Sequence, residues 1–295
     1  MSDAWIKLAL PATDVAVPAL EAAFESAGAL AVSVEALDDS SPRFAEPQYA
    51  DPSLWPNCLV EGLFPADVDV DAVLAQLAAA GIDGSAARRE FFADEDWQAR
   101  WRQQFSPLRF GGELWVVPTW HEIPAGARHH IRLDPGMAFG TGTHPTTGLC
   151  LDWLGEGLDL HGRSVLDYGC GSGILAIAAV RHGAGRVVGV DIDRQALVVA
   201  RENAALNGCP DLPFLLPQEL GEERFDVLVA NILLNPLIAL AAEFDARLAP
   251  GGRIGLSGLL AEQIEAAMTA YKARFTMDPP VVRGEWAFLS GRKPA

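Results

Sequence analysis

Val165-Leu-Asp-Tyr-Gly-Cys-Gly-Ser-Gly173 runs from an apolar strand into three alternate glycines, and then into the alanine-rich stretch Ile174 to Val180. Glycine has no Cβ to intrude, so backbone in such a turn can approach a ligand closely, and the helix that follows offers free N–H groups. The turn reads as a nucleotide-type cofactor site. Its candidate binding residues are Gly169, Gly171 and Gly173, with Asp167 at the strand end. The spacing is Gly-x-Gly-x-Gly, which differs from the Gly-x-Gly-x-x-Gly of the dinucleotide fingerprint.

About twenty residues further on, where an acid can accept hydrogen bonds from ribose hydroxyls, the next strand ends Gly189-Val-Asp191-Ile-Asp193. Asp191 is the candidate cofactor anchor, and Asp193 fits a helix N-cap ahead of Gln195. From Gly162 onward strands and helices alternate: Ser164 to Asp167, Ile174 to His182, Arg186 to Asp191, Arg194 to Leu206, Val227 to Asn231, Leu237 to Leu248 and Arg253 to Ser257. Short apolar strands separated by helices call for a parallel sheet covered on both faces. After a helix over Ala261 to Ala273, Val281 to Ser290 reads as two strands around Arg283-Gly284, and a hairpin requires antiparallel neighbours. The strand ending Val229-Ala-Asn231 should bring Asn231 to the crevice that Gly169 and Asp191 share. In an open α/β sheet, ligands sit beyond the carboxyl ends of the strands, near the switch in strand order.

Upstream, the order is strand Trp5 to Leu10, helix Val17 to Ala27, strand Ala29 to Leu37, strand Cys58 to Phe64, helix Val70 to Ala80 and strand Ala87 to Phe92. That β-α-β-β-α-β order is the ferredoxin-like plan. A charged helix over Asp94 to Ser106 places Trp97, Trp101 and Phe105 on one face, as a connector between domains would. Strands at Leu114 to Pro118 and His130 to Leu133 lead into Asp134-Pro-Gly-Met-Ala-Phe-Gly-Thr-Gly-Thr-His-Pro-Thr-Thr147. Pro145 suits the first turn of a helix running to about Gly155. His144, its neighbour, reads as an N-cap rather than a base.

At 295 residues, the chain is long enough for two domains. Its formal net charge is -17, and residues 1 to 93 carry -11 of it, with 15 acidic against 4 basic side chains. An acidic surface argues against a grip on nucleic acid phosphates and suits a basic partner. The four cysteines are scattered, with no Cys-x-x-Cys pair, so free thiols and no metal site are expected. No apolar run is long enough to propose a membrane span, and the N-terminus lacks a signal-peptide pattern, which predicts a cytoplasmic protein.

Val165 to Gly173, Asp191 and Asn231 resemble the motifs of class I S-adenosylmethionine-dependent methyltransferases. The longer stretches Asp134 to Thr147, Asp167 to Ala178 and Val229-Ala-Asn-Ile-Leu233 are similar to the bacterial PrmA family, which methylates protein eleven of the large ribosomal subunit. The resemblance covers essentially the whole chain, including the Gly284-Glu-Trp286 tail. It implies an α/β fold: a Rossmann-like methyltransferase sheet with an antiparallel C-terminal strand over residues 131 to 295, a linker helix and lead-in strands over 94 to 130, and an α+β ferredoxin-like substrate-recognition domain over 1 to 93. It also implies S-adenosylmethionine as cofactor, held at Thr147, Gly169, Asp191 and Asn231. Phe139 and Thr143 would line the same pocket in a loop that closes over the methionine end. Asn231 would be the catalytic residue, positioning the amine. The implied substrates are lysine side chains and the N-terminal amine of a basic ribosomal protein.

Two other readings use the same residues. One keeps the cofactor but acts on a small molecule or a glutamine side chain, although a glutamine amide is usually met by Asn-Pro-Pro-aromatic and Asn231-Ile-Leu-Leu does not match. The other is a non-catalytic binding module. The connection from Gly208 to Phe225 leaves the adenine-contacting residues unassigned.

Overall fold

The structure, a computed structural model, describes residues 4–37, 57–93, 105–134 and 144–295. Two compact units divide the chain, Met1–Gln104 and Phe105–Ala295.

In the first unit, strand β1 (Ala4–Thr13), helix α1 (Val17–Ser26), strands β2 (Ala31–Ala36) and β3 (Asn57–Pro65), helix α2 (Val70–Ala79) and strand β4 (Arg88–Ala93) follow in order. The strands pair antiparallel in the order β2-β3-β1-β4, the ferredoxin-like arrangement expected from the pattern. Alternation along the strands supplies one apolar face, with Ile6, Leu8 and Leu10 of β1 beside Cys58, Val60 and Phe64 of β3. Each helix covers it with an i, i+3, i+7 stripe, Val17, Leu20 and Phe24 from α1 and Val70, Val73 and Leu77 from α2. The Asp69 carboxylate caps α2 by accepting from the Asp71 and Ala72 N–H groups, each at 3.1 Å. Gly62 interrupts β3 for a packing reason: a Cβ there would lie 2.9 Å from Phe64 and 3.0 Å from Phe24, two rings that meet edge to face.

The second unit opens with β5 (Leu108–Phe110), β6 (Leu114–Val117) and β7 (His129–Arg132), a separate small sheet in which β6 and β7 run parallel. The lead-in strands expected at Leu114 to Pro118 and His130 to Leu133 are β6 and β7, and β5 adds a third from residue 108. Strand β5 escaped sequence reading because three residues show no periodicity. Trp97 and Trp101 lie outside the described residues.

Next come α3 (Pro145–Glu156), β8 (Ser164–Tyr168), α4 (Ile174–Arg181), β9 (Arg186–Val190), α5 (Arg194–Leu206), β10 (Phe214–Leu215), β11 (Phe225–Asn231), α6 (Leu234–Arg247) and β12 (Leu248–Leu260). The chain finishes with α7 (Ile264–Tyr271), β13 (Thr276–Met277), β14 (Val281–Arg283) and β15 (Trp286–Arg292). The large sheet has the order β10-β9-β8-β11-β12-β15-β13, with β14 paired to β15. From β10 to β12 the pairing is parallel, while β15 is antiparallel to both β12 and β13.

Three details depart from the pattern-based expectation. The connection after Gly208 contains β10, a two-residue strand below the length that patterning detects. Helix α6 starts at Leu234 rather than Leu237, because Pro236 falls in its first turn, where backbone N–H groups have no intrahelical partner anyway. The helix expected over Ala261 to Ala273 begins as a 3-10 turn, Ala261–Gln263, ahead of α7.

Period-2 alternation splits the strand residues between two cores. Val165, Val187, Val227 and Val229 pack with α3, α4 and α5, whereas Leu166, Tyr168, Val188, Leu228 and Ala230 pack with α6 and α7. The register of β8 against β11 is pinned at its start by Asp226, which accepts from the Ser164 N–H at 2.9 Å and hydroxyl at 2.8 Å. Those two strands lie side by side where the strand order reverses, so their carboxyl ends open on one crevice.

Candidate active site

The glycine turn leaves β8 at this switch point. Gly169 and Cys170 both donate to the Val190 carbonyl, at 2.7 and 2.9 Å, which ties the turn to the end of β9. Asp191, the next residue, accepts the Gly171 N–H on one oxygen at 2.8 Å and the Asp193 N–H on the other at 3.0 Å. Each carboxylate oxygen keeps a further lone pair for a hydroxyl donor, so Asp191 can shape the turn and still take a ribose. Asp193 caps α5 through the Gln195 N–H at 2.8 Å, as its spacing predicts.

The glycines serve different ends. Gly169 has φ +80°, and a Cβ there would fall 2.2 Å from Cγ2 of Ile232, so its absent side chain makes room for the residue after Asn231. At Gly173, a Cβ would press on Phe214 and Ala200, at 3.0 and 3.1 Å, making this a helix-to-strand packing position. Asp167 is wholly buried beneath the turn. One of its oxygens accepts the Ala176 N–H at 3.0 Å; the other has no partner among the described residues.

Burial pushes the Asp167 carboxyl up to about 7, against the Ala176 hydrogen bond and with a smaller push from Asp191. Between the ordinary aspartate value and 7, the folded protein therefore holds a proton that the unfolded chain releases. This favours the fold at low pH, and the advantage is lost as pH rises through 7. Asp167→Asn, neutral throughout, should gain stability over the parent as pH rises from about 4 to about 8, by up to roughly 4 kcal/mol. Denaturation midpoints measured across that range test it, and a constant difference between the two proteins would remove the assignment.

Asn231 ends β11. Its Nδ2 donates to Oγ1 of Thr147 at 3.3 Å, and its Oδ1 is buried with no partner among the described residues. It does not cap α6, since the N-cap there is Leu233. Thr147 sits fully buried in the first turn of α3. His144 is the N-cap of that helix: its Nδ1 lies 2.7 Å from the Thr146 hydroxyl and its ring meets Trp286 edge to face at 4.5 Å. Burial lowers its pKa, in keeping with a neutral ring acting as a cap. Phe139 and Thr143 lie outside the described residues.

Sequence reading missed two features. Gly258, where the register of β12 on β15 shifts, has φ +87°, and a Cβ there would fall 2.3 Å from the Ile232 carbonyl oxygen. Only its position after a strand could have drawn notice. Ile192, directly after Asp191, is 82 % exposed, an apolar surface beside the acid that a flat ring could cover. Farther along α3, past its first turn, a separate open cleft of about 780 Å³ is lined by Arg109, Glu113, Asp152, Glu156 and Arg283. It contains none of the residues just described.

The fit to a nucleoside-bearing methyl donor rests on this chain's own geometry: a glycine turn held by Asp191, and a buried amide oxygen left without a partner where the strand order reverses. A reversed strand inserted at one end of an otherwise parallel sheet separates the fold from a dinucleotide-binding dehydrogenase and makes it a class I S-adenosylmethionine-dependent methyltransferase fold. The chain belongs to the family described as "Ribosomal protein L11 methyltransferase (PrmA)", whose model matches residues 4–294. A relative of that name from Pseudomonas aeruginosa (strain LESB58) is 47% identical over 294 residues, covering 99% of both chains. Another, from Klebsiella pneumoniae (strain 342), is 45% identical over 293 residues, covering 98% of this chain and 99% of the relative. Among solved structures, the ribosomal protein L11 methylase of Lactobacillus delbrueckii subsp. bulgaricus is similar with a TM-score of 0.60 and 33% identity. The match covers 65% of this chain and all of that one.

Proposed function

We propose that this chain transfers methyl groups from S-adenosylmethionine to amines of ribosomal protein L11, the lysine side chains and the N-terminal amine. The observation that carries the reading is the Asn231 amide, anchored through Nδ2 and presenting an unpartnered Oδ1 beside the glycine turn. Gly169, Gly171, Asp191, Thr147 and Asn231 are the residues assigned to hold the cofactor, with Asp167 and Gly173 supporting the turn from beneath. Bound there, S-adenosylmethionine supplies a methyl already activated by its sulfonium.

The protein's part is to present a neutral amine, align it and exclude water. A lysine of pKa about 10.4 is more than 99% protonated at neutral pH, and freeing its lone pair costs roughly 4 to 5 kcal/mol. Desolvation among apolar side chains lowers that cost, because burial disfavours the ammonium. A carboxylate at position 231 would restore it by stabilising the cation. An amide oxygen instead accepts an N–H and leaves the lone pair free. Asn231 therefore positions the amine and does not deprotonate it; the proton leaves to water.

The first 93 residues, at -11, are assigned to substrate recognition, since complementary charge raises the on-rate for a lysine-rich protein and orients it. The same balance favours a basic protein over nucleic acid as the partner. Among the described residues, no helix is long and apolar enough to cross a membrane. Mass spectrometry of purified L11 after incubation with the protein and S-adenosylmethionine should show gains in one-methyl steps, mapped to lysines and the N-terminus. An unchanged mass, with the cofactor shown to bind, would point to a different acceptor.

A further inference from the structure

Helix α3 leads away from the crevice to a second concave site. Its first turn carries Thr147, whose hydroxyl meets Asn231, and the next residue, Gly148, begins an i, i+4, i+8 stripe that continues through Asp152 and Glu156. Those two acids line the open cleft of about 780 Å³, together with Arg109, Phe110, Glu113 and Arg283.

The walls of this cleft are held in place. On one side, Gly111 packs so close to the helix that a Cβ would lie 2.8 Å from the Asp152 carbonyl oxygen, and its N–H donates to Asp152 Oδ1 at 2.8 Å. On the other, Arg283 reaches across α3 where Gly148 has no side chain, since a Cβ there would lie 2.9 Å from an Arg283 Nη atom. Its guanidinium donates to Asp152 Oδ2 at 2.7 Å. Walls fixed by such contacts are formed before a ligand arrives.

Charge indicates what the cleft takes. Arg283 is paired with Asp152 at 2.7 Å and Arg109 with Glu113 at 3.8 Å. Glu156 is exposed and has no ion-pair partner among the described residues, so one carboxylate of the lining is left uncompensated. Phe110, partly buried against the core, offers an apolar surface along which the methylene stem of a long basic side chain can lie. A rise of 1.5 Å per residue puts Asp152 about 7.5 Å and Glu156 about 13.5 Å from Thr147 along the helix axis, which is about two to four residues of extended chain.

We infer that this cleft docks the basic segment beside the acceptor lysine of the ribosomal protein, with Glu156 taking a lysine or arginine about two to four residues from the amine being methylated. This rests on the methyl-transfer reading above. It gives the second unit its own part in choosing the amine, in addition to the recognition assigned to residues 1 to 93.

Glu156→Lys tests it against Glu265→Lys, which makes the same charge change at an exposed position on α7, across the sheet from α3. With full-length protein at low salt, Glu156→Lys should raise the KM for L11 by about fivefold or more, while kcat and S-adenosylmethionine Kd stay within about twofold. The rise should shrink as salt is added, and Glu265→Lys should move KM by less than about twofold. Glu156→Gln should shift KM in the same direction by a smaller factor, and it replaces the reversal if Glu156→Lys does not fold. Each lysine or arginine of L11 within about six residues of a methylated lysine is then changed to glutamate in turn; one of these proteins should recover most of the KM lost by Glu156→Lys.

An unchanged KM, or an equal rise in Glu265→Lys, would overturn the inference. So would a loss confined to kcat or cofactor Kd, which marks a part of the reacting centre, or recovery with none of the L11 variants. An unmodified chain that fails to methylate L11 would sink the methyl-transfer reading instead, a result visible before any variant is made.

Discussion

Asn231→Ala should lower turnover on L11 by about 10²- to 10³-fold, the usual loss when one preorganised polar group is removed from a reacting centre. The amide sits at the carboxyl end of β11, directly across the switch point from the glycine turn, and its oxygen is buried without a partner. Removing it leaves the other cofactor residues in place and takes away the acceptor that orients the amine, so the loss should fall on kcat more than on cofactor affinity. Asn231→Asp separates orientation from charge. A carboxylate there would stabilise the substrate ammonium and raise its pKa, so the neutral fraction at pH 7 falls and activity climbs further into the alkaline range than in the parent. The check is kcat against pH for the three proteins. Undiminished turnover in Asn231→Ala would sink the catalytic assignment.

Gly258→Ala should damage the same centre from the far side of Ile232. A Cβ at Gly258 would lie 2.3 Å from the Ile232 carbonyl oxygen, 2.7 Å from its carbon and 2.9 Å from its nitrogen. All three are backbone atoms with no rotamer to escape into, so Ile232 must shift and carry Asn231 with it. It cannot shift far toward the glycine turn, because Cγ2 of Ile232 already occupies the space where a Gly169 Cβ would be. A misplacement of about 1 Å at a reacting centre can cost about 100-fold in rate, and that is the loss expected in turnover. The φ of +87° adds roughly 1 to 3 kcal/mol of destabilisation for any residue with a side chain.

Gly162→Ala is the matched control. Its φ of +70° brings similar strain, but a Cβ there meets nothing within 4 Å, so it should lose thermal stability and keep its turnover. Equal turnover in Gly258→Ala and Gly162→Ala would remove Gly258 from the site.

Much of this was legible in the residues. The order of strands and helices in both units, the caps at His144 and Asp193, the place of Asp191 just past a strand end and the reversed final strand all follow from periodicity, capping chemistry and turn signals acting over a few residues. Local order of this kind is encoded by spacing, and spacing can be read along a line. The glycine turn belongs here too, with a qualification: of its glycines, Gly169 and Gly173 are glycines because of Ile232, Phe214 and Ala200, which sequence adjacency does not reveal.

What only the tertiary structure decided is which groups meet across long separations. Thr147 reads in sequence as one of several threonines around the start of a helix, yet its hydroxyl meets an amide 84 residues away. Asp167 reads as the polar end of a strand and is instead a fully buried carboxyl with one unpartnered oxygen. Gly258 reads as an ordinary glycine after a strand, and it grips Ile232. Strands β5 and β10 are too short to carry a period and exist because a neighbouring strand supplies their hydrogen bonds. Composition and spacing determined the fold and the kind of ligand, because burial and backbone geometry depend on residue type. The pairing of the Asn231 amide with Thr147 needed the packed sheet, because a hydrogen bond between distant side chains leaves no period in the chain.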